Sequence, residues 1–323
     1  MYAGIDLGGT NLKVGICDGD GHMLAAEKTP VPAFETSRAL AEILTRAVEA
    51  AAGRVGLSAA ALQGVGIGVP GAVRGGEVIY TCNLPLRNVP LGPLVEEQLG
   101  CPVLLGNDAD CAAVGEYFCG AGRGTRNFMI ITLGTGIGGG MILNGALYSG
   151  AGMAGEVGHM VLERDGLPCS CGRRGCWEVY ASATGLVRMT DEAIRQDPHG
   201  RLAQLAAAAG GTDARIAFEA EAEGDPTGQA VCRRYRAYLA DGITNLVNIL
   251  QPEVLAIGGG ISAEREERLV QPVRERVERD CYAAHGGVRT RIVRAELGND
   301  AGIIGAALLH RLRETCGTGR NRL

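Results

Sequence analysis

No stretch of the 323 residues concentrates basic charge. Lys and Arg are scattered, 31 against 36 acidic residues, giving a formal net charge of −5 and a pI of about 5.7. That balance excludes nucleic acid or an anionic lipid surface as the main partner. A polyanionic ligand must instead be held by local backbone dipoles and a metal. A membrane span is also missing. Residues 127–155 carry no charge, but nine glycines with Thr, Asn and Ser make them a poor one. No secretory pattern marks Met1–Asp6, and the eleven cysteines are odd in number within a large chain. Reduced thiols in a cytoplasm are therefore expected, not a disulfide framework. Aromatics make up only 4%.

Glycine is abundant, at 51 residues, and it clusters in short loops between Val- and Ile-rich runs. Backbone that must approach a ligand closely has this composition. The chain reads as strand (Tyr2 to Leu7), tight turn, strand (Leu12 to Cys17), turn, and a third strand near His22 to Lys28. Leu40, Ile43, Leu44, Ala47 and Val48 recur at helical spacing within Ser37 to Ala52, with Gly53 as the stop. Strands follow at Val65–Val69, Val103–Leu105, Phe128–Leu133 and Val254–Ile257. Helices are expected at Pro93–Leu99, Ala109–Phe118, Arg233–Leu250 and Ala301–Arg313. Alternating strands and helices place the chain in the α/β class. Two halves, each opening with an apolar strand and a glycine turn, are compatible with duplicated domains around a cleft.

Three glycine loops carry the first chemical signal. In Asp6-Leu7-Gly8-Gly9-Thr10, consecutive N–H groups can point at one anion, Thr10 adds a hydroxyl, and Asp6 offers oxygen to Mg²⁺. No Gly-Lys-Ser/Thr follows, so this is not a Walker A loop. A strand follows instead of a helix, so it is not a dinucleotide fingerprint. An ordinary hairpin turn is the alternative. The second loop, Gly134-Thr135-Gly136-Ile137-Gly138-Gly139-Gly140, places five glycines in seven positions. Each has an entropic cost on folding of roughly 0.5–1 kcal/mol, which favours a ligand-bound role over a flexible hairpin. The third, Gly258-Gly259-Gly260, is suited to the flat face of a nucleoside, with a plain connection as its alternative.

A carboxylate stands where a strand ends and a helix begins, in Val103-Leu104-Leu105-Gly106-Asn107-Asp108. Phosphoryl transfer to an alcohol needs a base placed to take the acceptor proton. Asp108 fits that role beside Asn107; a helix N-cap fits it equally well. The sharpest local pattern is His159 followed by Cys169, Cys171 and Cys176. Three thiolates and an imidazole complete a closed tetrahedral zinc site, which is structural and not catalytic. Free or redox cysteines are the competing reading. Glu156 and Glu178 flank this loop and are suitable acceptors for vicinal sugar hydroxyls, although surface acids are the usual fate of Glu.

Taken together, Gly155-Glu156-Val157-Gly158-His159 and the Cys-x-Cys-Gly-x-x-Gly-Cys-x-Glu that follows resemble the ROK family of bacterial sugar kinases and sugar-responsive repressors, most of all its glucokinase branch. Thr132-Leu133-Gly134-Thr135-Gly136, Ala181-Ser182-Ala183-Thr184 and Glu296-Leu297-Gly298-Asn299-Asp300-Ala301-Gly302 are similar too, and the resemblance runs from Ile5 to about His310. It implies an actin-like, ribonuclease H-like two-domain fold of the hexokinase superfamily, with ATP and sugar in the interdomain cleft. The domains would be 1–118 with 300–323, the smaller, and 119–299, the larger.

The resemblance further implies Asp108 as base and His159, Cys169, Cys171 and Cys176 on structural zinc. Gly71, Asn83, Asn107, Asp108, Glu156, His159 and Glu178 would surround a hexose. Mg-ATP would meet Asp6, Gly8, Gly9, Thr10, Asn11, Gly134, Thr135, Gly136, Gly138, Gly139, Gly259 and Gly260. Many glucokinases of the family carry Trp where this chain has Leu86, a departure that bears on the sugar. The expected activity is ATP-dependent phosphorylation of glucose at its 6-hydroxyl by a cytoplasmic homodimer or homotetramer. Allose, fructose, mannose or N-acetylmannosamine are the alternative acceptors, and polyphosphate the alternative donor. A repressor would need a DNA-binding helix-turn-helix ahead of Tyr2, and a dead sugar-binding module would not need Asp108 and both phosphate loops.

Overall fold

The computed structural model describes residues 1–81, 83–287 and 289–316, the side chains of 313–316 excepted. The expected domain segment 300–323 therefore ends outside the described residues. The chain folds as two compact units, one of Met1–Ile130, Gly140–Gly155 and Glu296–Leu323, the other of Ile131–Gly139 and Glu156–Ala295. The unit holding the N-terminus is the larger, and it takes in residues 119–130 and 140–155, which the sequence reading gave to the other domain.

The first unit opens with a meander, β1 (Tyr2–Leu7), β2 (Asn11–Cys17) and β3 (Met23–Pro30), followed by α1 (Ser37–Arg54) and β4 (Gly64–Val69). Three short strands, β5 (Gly71–Arg74), β6 (Glu77–Thr81) and β7 (Arg87–Val89), form a small sheet of their own. Then come α2 (Leu91–Leu99), β8 (Val103–Asn107) and α3 (Asp108–Cys119). The main sheet runs β3-β2-β1-β4-β8, antiparallel through the meander and parallel from β1 to β8.

One face of this sheet presents Ile5, Leu7, Leu12 and Val14 to Leu40, Leu44 and Val48 of α1, all at most 2% exposed. Burying aliphatic side chains in this way supplies about 1.5–3 kcal/mol each. Thr36 caps α1 by accepting from the Ala39 N–H at 3.1 Å. The helix runs past the expected stop at Gly53; the left-handed glycine that ends it is Gly56, at φ 72°.

Next along the chain are β9 (Phe128–Leu133), β10 (Ile137–Leu143) and β11 (Ala146–Leu147). The helices α4 (Glu178–Ala181), α5 (Ala183–Gln196), α6 (Arg201–Ala209), α7 (Ile216–Ala222) and α8 (Pro226–Leu250) follow, then β12 (Val254–Gly258), α9 (Val270–Asp280) and β13 (Arg291–Arg294). The second sheet has the order β11-β10-β9-β12-β13. That order repeats the first sheet's plan: a three-strand meander, reversed, and then two later strands. The helix α8 begins seven residues before the expected Arg233 because Asp225 caps it and Pro226 occupies its first position.

The expected seven-residue glycine loop is a correction. Only Gly134, Thr135 and Gly136 form the turn, while Gly138, Gly139 and Gly140 lie within β10. Gly140 is required by packing: a Cβ there would lie 2.6 Å from Ala113 Cβ and against the Ala109 carbonyl of α3.

The last helix, α10 (Ala301–Cys316), covers the other face of the first sheet. Contact is backbone to backbone. A Cβ on Gly66 of β4 would strike the Ala306 carbonyl, and one on Gly305 the Cys111 carbonyl of α3. Glycine at the two positions lets α10 approach the sheet at Gly66 and α3 at Gly305 closer than any side chain allows.

Candidate active site

In the first unit, β8 delivers Asn107 and Asp108 to the start of α3. Asn107 is the cap: its Oδ1 accepts from the Ala109 N–H at 2.8 Å and the Asp110 N–H at 3.2 Å. Its Nδ2 donates to the Gly71 carbonyl at 3.2 Å, tying the β5 edge to the helix start. Asp108 is then the first residue of the helix, exposed, with Oδ1 2.9 Å from the Ala109 N–H. The two readings of Asp108 are thus separated, because the capping position belongs to its neighbour. A carboxylate in the first turn also sits at the positive end of the helix dipole.

The turn of Gly8, Gly9 and Thr10 closes the β1–β2 hairpin. The Gly8 N–H is spent on the Asn11 carbonyl at 2.9 Å, and Asn11 Nδ2 donates to Thr10 Oγ1 at 3.0 Å. The N–H groups of Gly9 and Thr10 are the ones left to face a ligand. A Cβ on Gly9 would come within 3.1 Å of Asn83 Cβ, so this turn and the Asn83 loop are neighbours. Thr81 holds that loop by donating its hydroxyl to the Leu84 carbonyl at 2.6 Å. Leu86, at the position of the family's Trp, is only 3% exposed and packs in the core.

Two residues of this unit were missed by sequence reasoning. Lys13 Nζ lies 2.8 Å from Asp6 Oδ2, so the carboxylate assigned to Mg²⁺ already has a cationic partner. Glu116 is fully buried, and its carboxylate accepts from the N–H groups of Ala121, Glu296 and Leu297 at 2.8, 3.1 and 2.7 Å. That set of charge-assisted bonds fastens α3 to the turn that leads into α10.

In the second unit, the ligand atoms of His159, Cys169, Cys171 and Cys176 all lie within 4.8 Å of one another. Cys169 Sγ is 3.6 Å from His159 Nδ1, and Cys171 Sγ is 3.6 Å from Cys176 Sγ. A disulfide would need about 2.05 Å. Ligands about 2.0–2.3 Å from a tetrahedral zinc have edges near the observed separation. Hydrogen bonds from Leu162 N–H to the Gly175 carbonyl at 2.8 Å and from Trp177 N–H to the Met160 carbonyl at 2.7 Å pair the two arms of the loop. The fully buried Trp177 anchors them, donating from Nε1 to the Tyr238 carbonyl of α8 at 2.9 Å. As a thiol, Cys169 is pushed up to about 12, chiefly by burial, whereas the Arg173 backbone N–H lowers Cys171.

The flanking carboxylates have distinct surroundings. Glu178 Oε1 lies 3.1 Å from Cys169 Sγ and 3.5 Å from His159 Nδ1, while Glu156 Oε2 is 3.9 Å from His159 Nε2. The imidazole thus turns one nitrogen to the cysteines and the other toward Glu156. On its far side Glu178 meets the glycine turn: a Cβ on Gly136 would lie 2.5 Å from Oε2. The turn is held from behind as well, by Ala183 N–H on the Gly134 carbonyl and Thr184 Oγ1 on the Thr135 carbonyl, both 2.9 Å.

That turn opens onto a cavity of about 440 Å³ lined by Leu133, Gly134, Thr135, Ala183, Ala214, Arg215, Phe218, Gly260, Ile261, Ala263, Glu264 and Arg265. Its size and mixed lining suit a nucleoside. Gly259 holds a left-handed φ of 84°, and a Cβ there would strike the Leu133 backbone at 2.5 Å, while Gly260 faces open space. The sequence pointed to the glycines. It gave no sign of Arg215 and Phe218, which reach the cavity from α7 and the residue that precedes it, nor of Arg265, a few residues past Gly260.

The sequence profile of the ROK family matches residues 2–313. The chain is 37% identical over 317 residues to a glucokinase of Streptomyces coelicolor, covering 96% of this chain and 98% of that one. It is 36% identical over 320 residues to a glucokinase of Halalkalibacterium halodurans, covering 97% and 96%. Among solved structures, a ROK family glucokinase of Streptomyces griseus in complex with glucose and AMPPNP matches with a TM-score of 0.81 at 34% identity, covering 95% of this chain and 97% of that one. On a family match across nearly the whole sequence, the chain belongs to the ROK family.

Proposed function

We propose that the protein is an ATP-dependent glucokinase that transfers the γ-phosphoryl group of ATP to the 6-hydroxyl of glucose. The observation that carries the reading is near-full-length similarity to glucokinases at 36–37% identity. In this mechanism Asp108 is the base. The Asn107 cap and the Gly71 carbonyl hold the start of α3, and the Asp108 carboxylate accepts the proton as the hydroxyl oxygen attacks phosphorus. Asn83, Asn107, Glu156, His159 and Glu178, with the Gly71 backbone, hydrogen-bond the sugar hydroxyls. An unpaired buried polar group costs about 1–3 kcal/mol, so these partners select among epimers.

The N–H groups of Gly9 and Thr10, with Asn11, and those of Thr135 and Gly136 bind the phosphates, while Gly259 and Gly260 border the nucleoside. Asp6 offers an oxygen to Mg²⁺, which supplies charge neutralisation of the transferring phosphoryl when bound. His159, Cys169, Cys171 and Cys176 hold a structural zinc, which cross-links the loop carrying Glu156 and Glu178. The protein works in the cytoplasm as a homodimer or homotetramer; among the described residues no helix is long and apolar enough to cross a membrane.

The test is a coupled ADP-release assay with Mg-ATP across glucose, allose, fructose, mannose, N-acetylmannosamine and N-acetylglucosamine, with sugar-phosphate formation followed directly when polyphosphate replaces ATP as donor. Glucose is expected to give the highest kcat/KM, and phosphorus NMR of the product a 6-phosphate. No ADP release with any hexose would refute the reading.

A further inference from the structure

Lys13 has no part in the reaction as derived so far. It stands directly opposite Asp6 across the β1–β2 hairpin. Both residues are on the sheet face that α10 covers, since their in-phase neighbours Gly4 and Gly15 lie against Ile303 of that helix. Asp6 reaches the helix's first turn, where a Cβ on Gly302 would lie 3.5 Å from its carboxyl carbon. Lys13 Nζ donates to Asp6 Oδ2 at 2.8 Å and to the Asn299 carbonyl at 3.3 Å.

Fold stability gives little reason for this arrangement. The side chains keep 25% and 24% of their exposure, and ion pairs in contact with water add little. An ammonium beside the first turn of a helix also stands at the end whose dipole repels cations. What the two-point attachment does is fix the carboxylate. With Oδ2 engaged and the lysine tethered to Asn299, Asp6 has one orientation, and Oδ1 is the oxygen left for another cation.

We propose that Lys13 is a positioning residue of the phosphoryl-transfer site, holding Asp6 in the orientation that the metal–nucleotide complex meets. The inference rests on the kinase reading and on Asp6 as its metal contact. Partners that orient a ligating carboxylate are worth about 10–100-fold in metal affinity or activity.

The experiment compares AMPPNP binding by calorimetry with and without Mg²⁺, alongside steady-state kinetics, for wild type, Lys13→Met, Lys13→Gln and Lys13→Arg. For Lys13→Met the tightening of AMPPNP by Mg²⁺ is expected to shrink about tenfold while metal-free affinity holds within about twofold. Its kcat falls by about 10–100-fold with KM for glucose unchanged, and Lys13→Arg recovers part of the loss. Lys13→Gln keeps a donor without the charge and decides the matter if Lys13→Met does not fold. A Mg²⁺-dependent gain equal to wild type, or a parallel fall with and without metal, overturns the proposal. A wild type with no ADP release overturns the kinase reading as well, whereas an active wild type with unaffected variants overturns this inference alone.

Discussion

The turn between β1 and β2 and the turn between β9 and β10 share a first hydrogen bond, Gly8 N–H to the Asn11 carbonyl at 2.9 Å and Gly134 N–H to the Gly136 carbonyl at 3.1 Å. They differ in what holds them from outside. The first is supported by its own meander, through Val31 N–H on the Thr10 carbonyl at 3.0 Å and the cross-strand pair of Asp6 and Lys13. The second hangs on a remote segment, residues 178–184, whose Glu178 also touches the cysteine cluster. One turn is set mainly by pairing within its own meander; the other is coupled to the loop that carries the cysteine cluster.

The coupling predicts an asymmetry. Cys171→Ser should lose the bound zinc by elemental analysis and on the order of 3 kcal/mol of stability, a part of what a structural zinc contributes. Hydrogen exchange should rise across 134–136 and 169–184 and stay unchanged across 8–11. Equal deprotection of both turns would break the comparison.

A smaller effect separates the glycines of the second turn from those of its strand. Gly140→Ala should destabilise by about 1–3 kcal/mol, because its Cβ meets the Ala109 carbonyl and Ala113. Gly136→Ala meets only the end of the Glu178 side chain, which can turn aside. It should change stability by less than about 1 kcal/mol while raising KM for Mg-ATP. Thermal melts with steady-state kinetics check both, and a reversed pattern would return Gly140 to the phosphate cradle.

The smallest effect concerns the turn between β2 and β3, where His22 Nδ1 lies 2.8 Å from Asp18 Oδ2. The side-chain hydrogen bond with Asp18 raises His22 above its usual 6.5, and the same bond lowers Asp18 below 3.8. The histidine's contribution is therefore complete below about pH 6.5 and lost as pH rises through the raised value. The aspartate's is present above about pH 3.8 and lost as pH falls through the lowered one. Melting temperatures of wild type and His22→Gln should converge above neutrality, and a constant gap from pH 5 to 9 would contradict this.

What the sequence made legible follows from range. The first meander, α1 and the strand Val254–Ile257 announce themselves through local periodicity, and His159 with its cysteines through spacing. Lys13 was legible in principle, because a hairpin that pairs Leu7 with Leu12 must pair Asp6 with Lys13. Glu116 was not, since an acid inside an alanine-rich helix gives no sign that three N–H groups, two of them from residues 296 and 297, will meet it. The glycines of β10 misled for a related reason. For Gly140 the cause is the approach of α3, a tertiary contact that composition cannot distinguish from a ligand.

The central claim is that Asp108, relieved of capping by Asn107, takes the acceptor proton. Asp108→Asn keeps size and hydrogen bonding but cannot accept that proton. Turnover with Mg-ATP should fall by about 10²–10⁴-fold, while glucose binding by calorimetry stays within about twofold of wild type. A variant that keeps near-normal turnover, or one that loses glucose binding in proportion to turnover, would contradict the account.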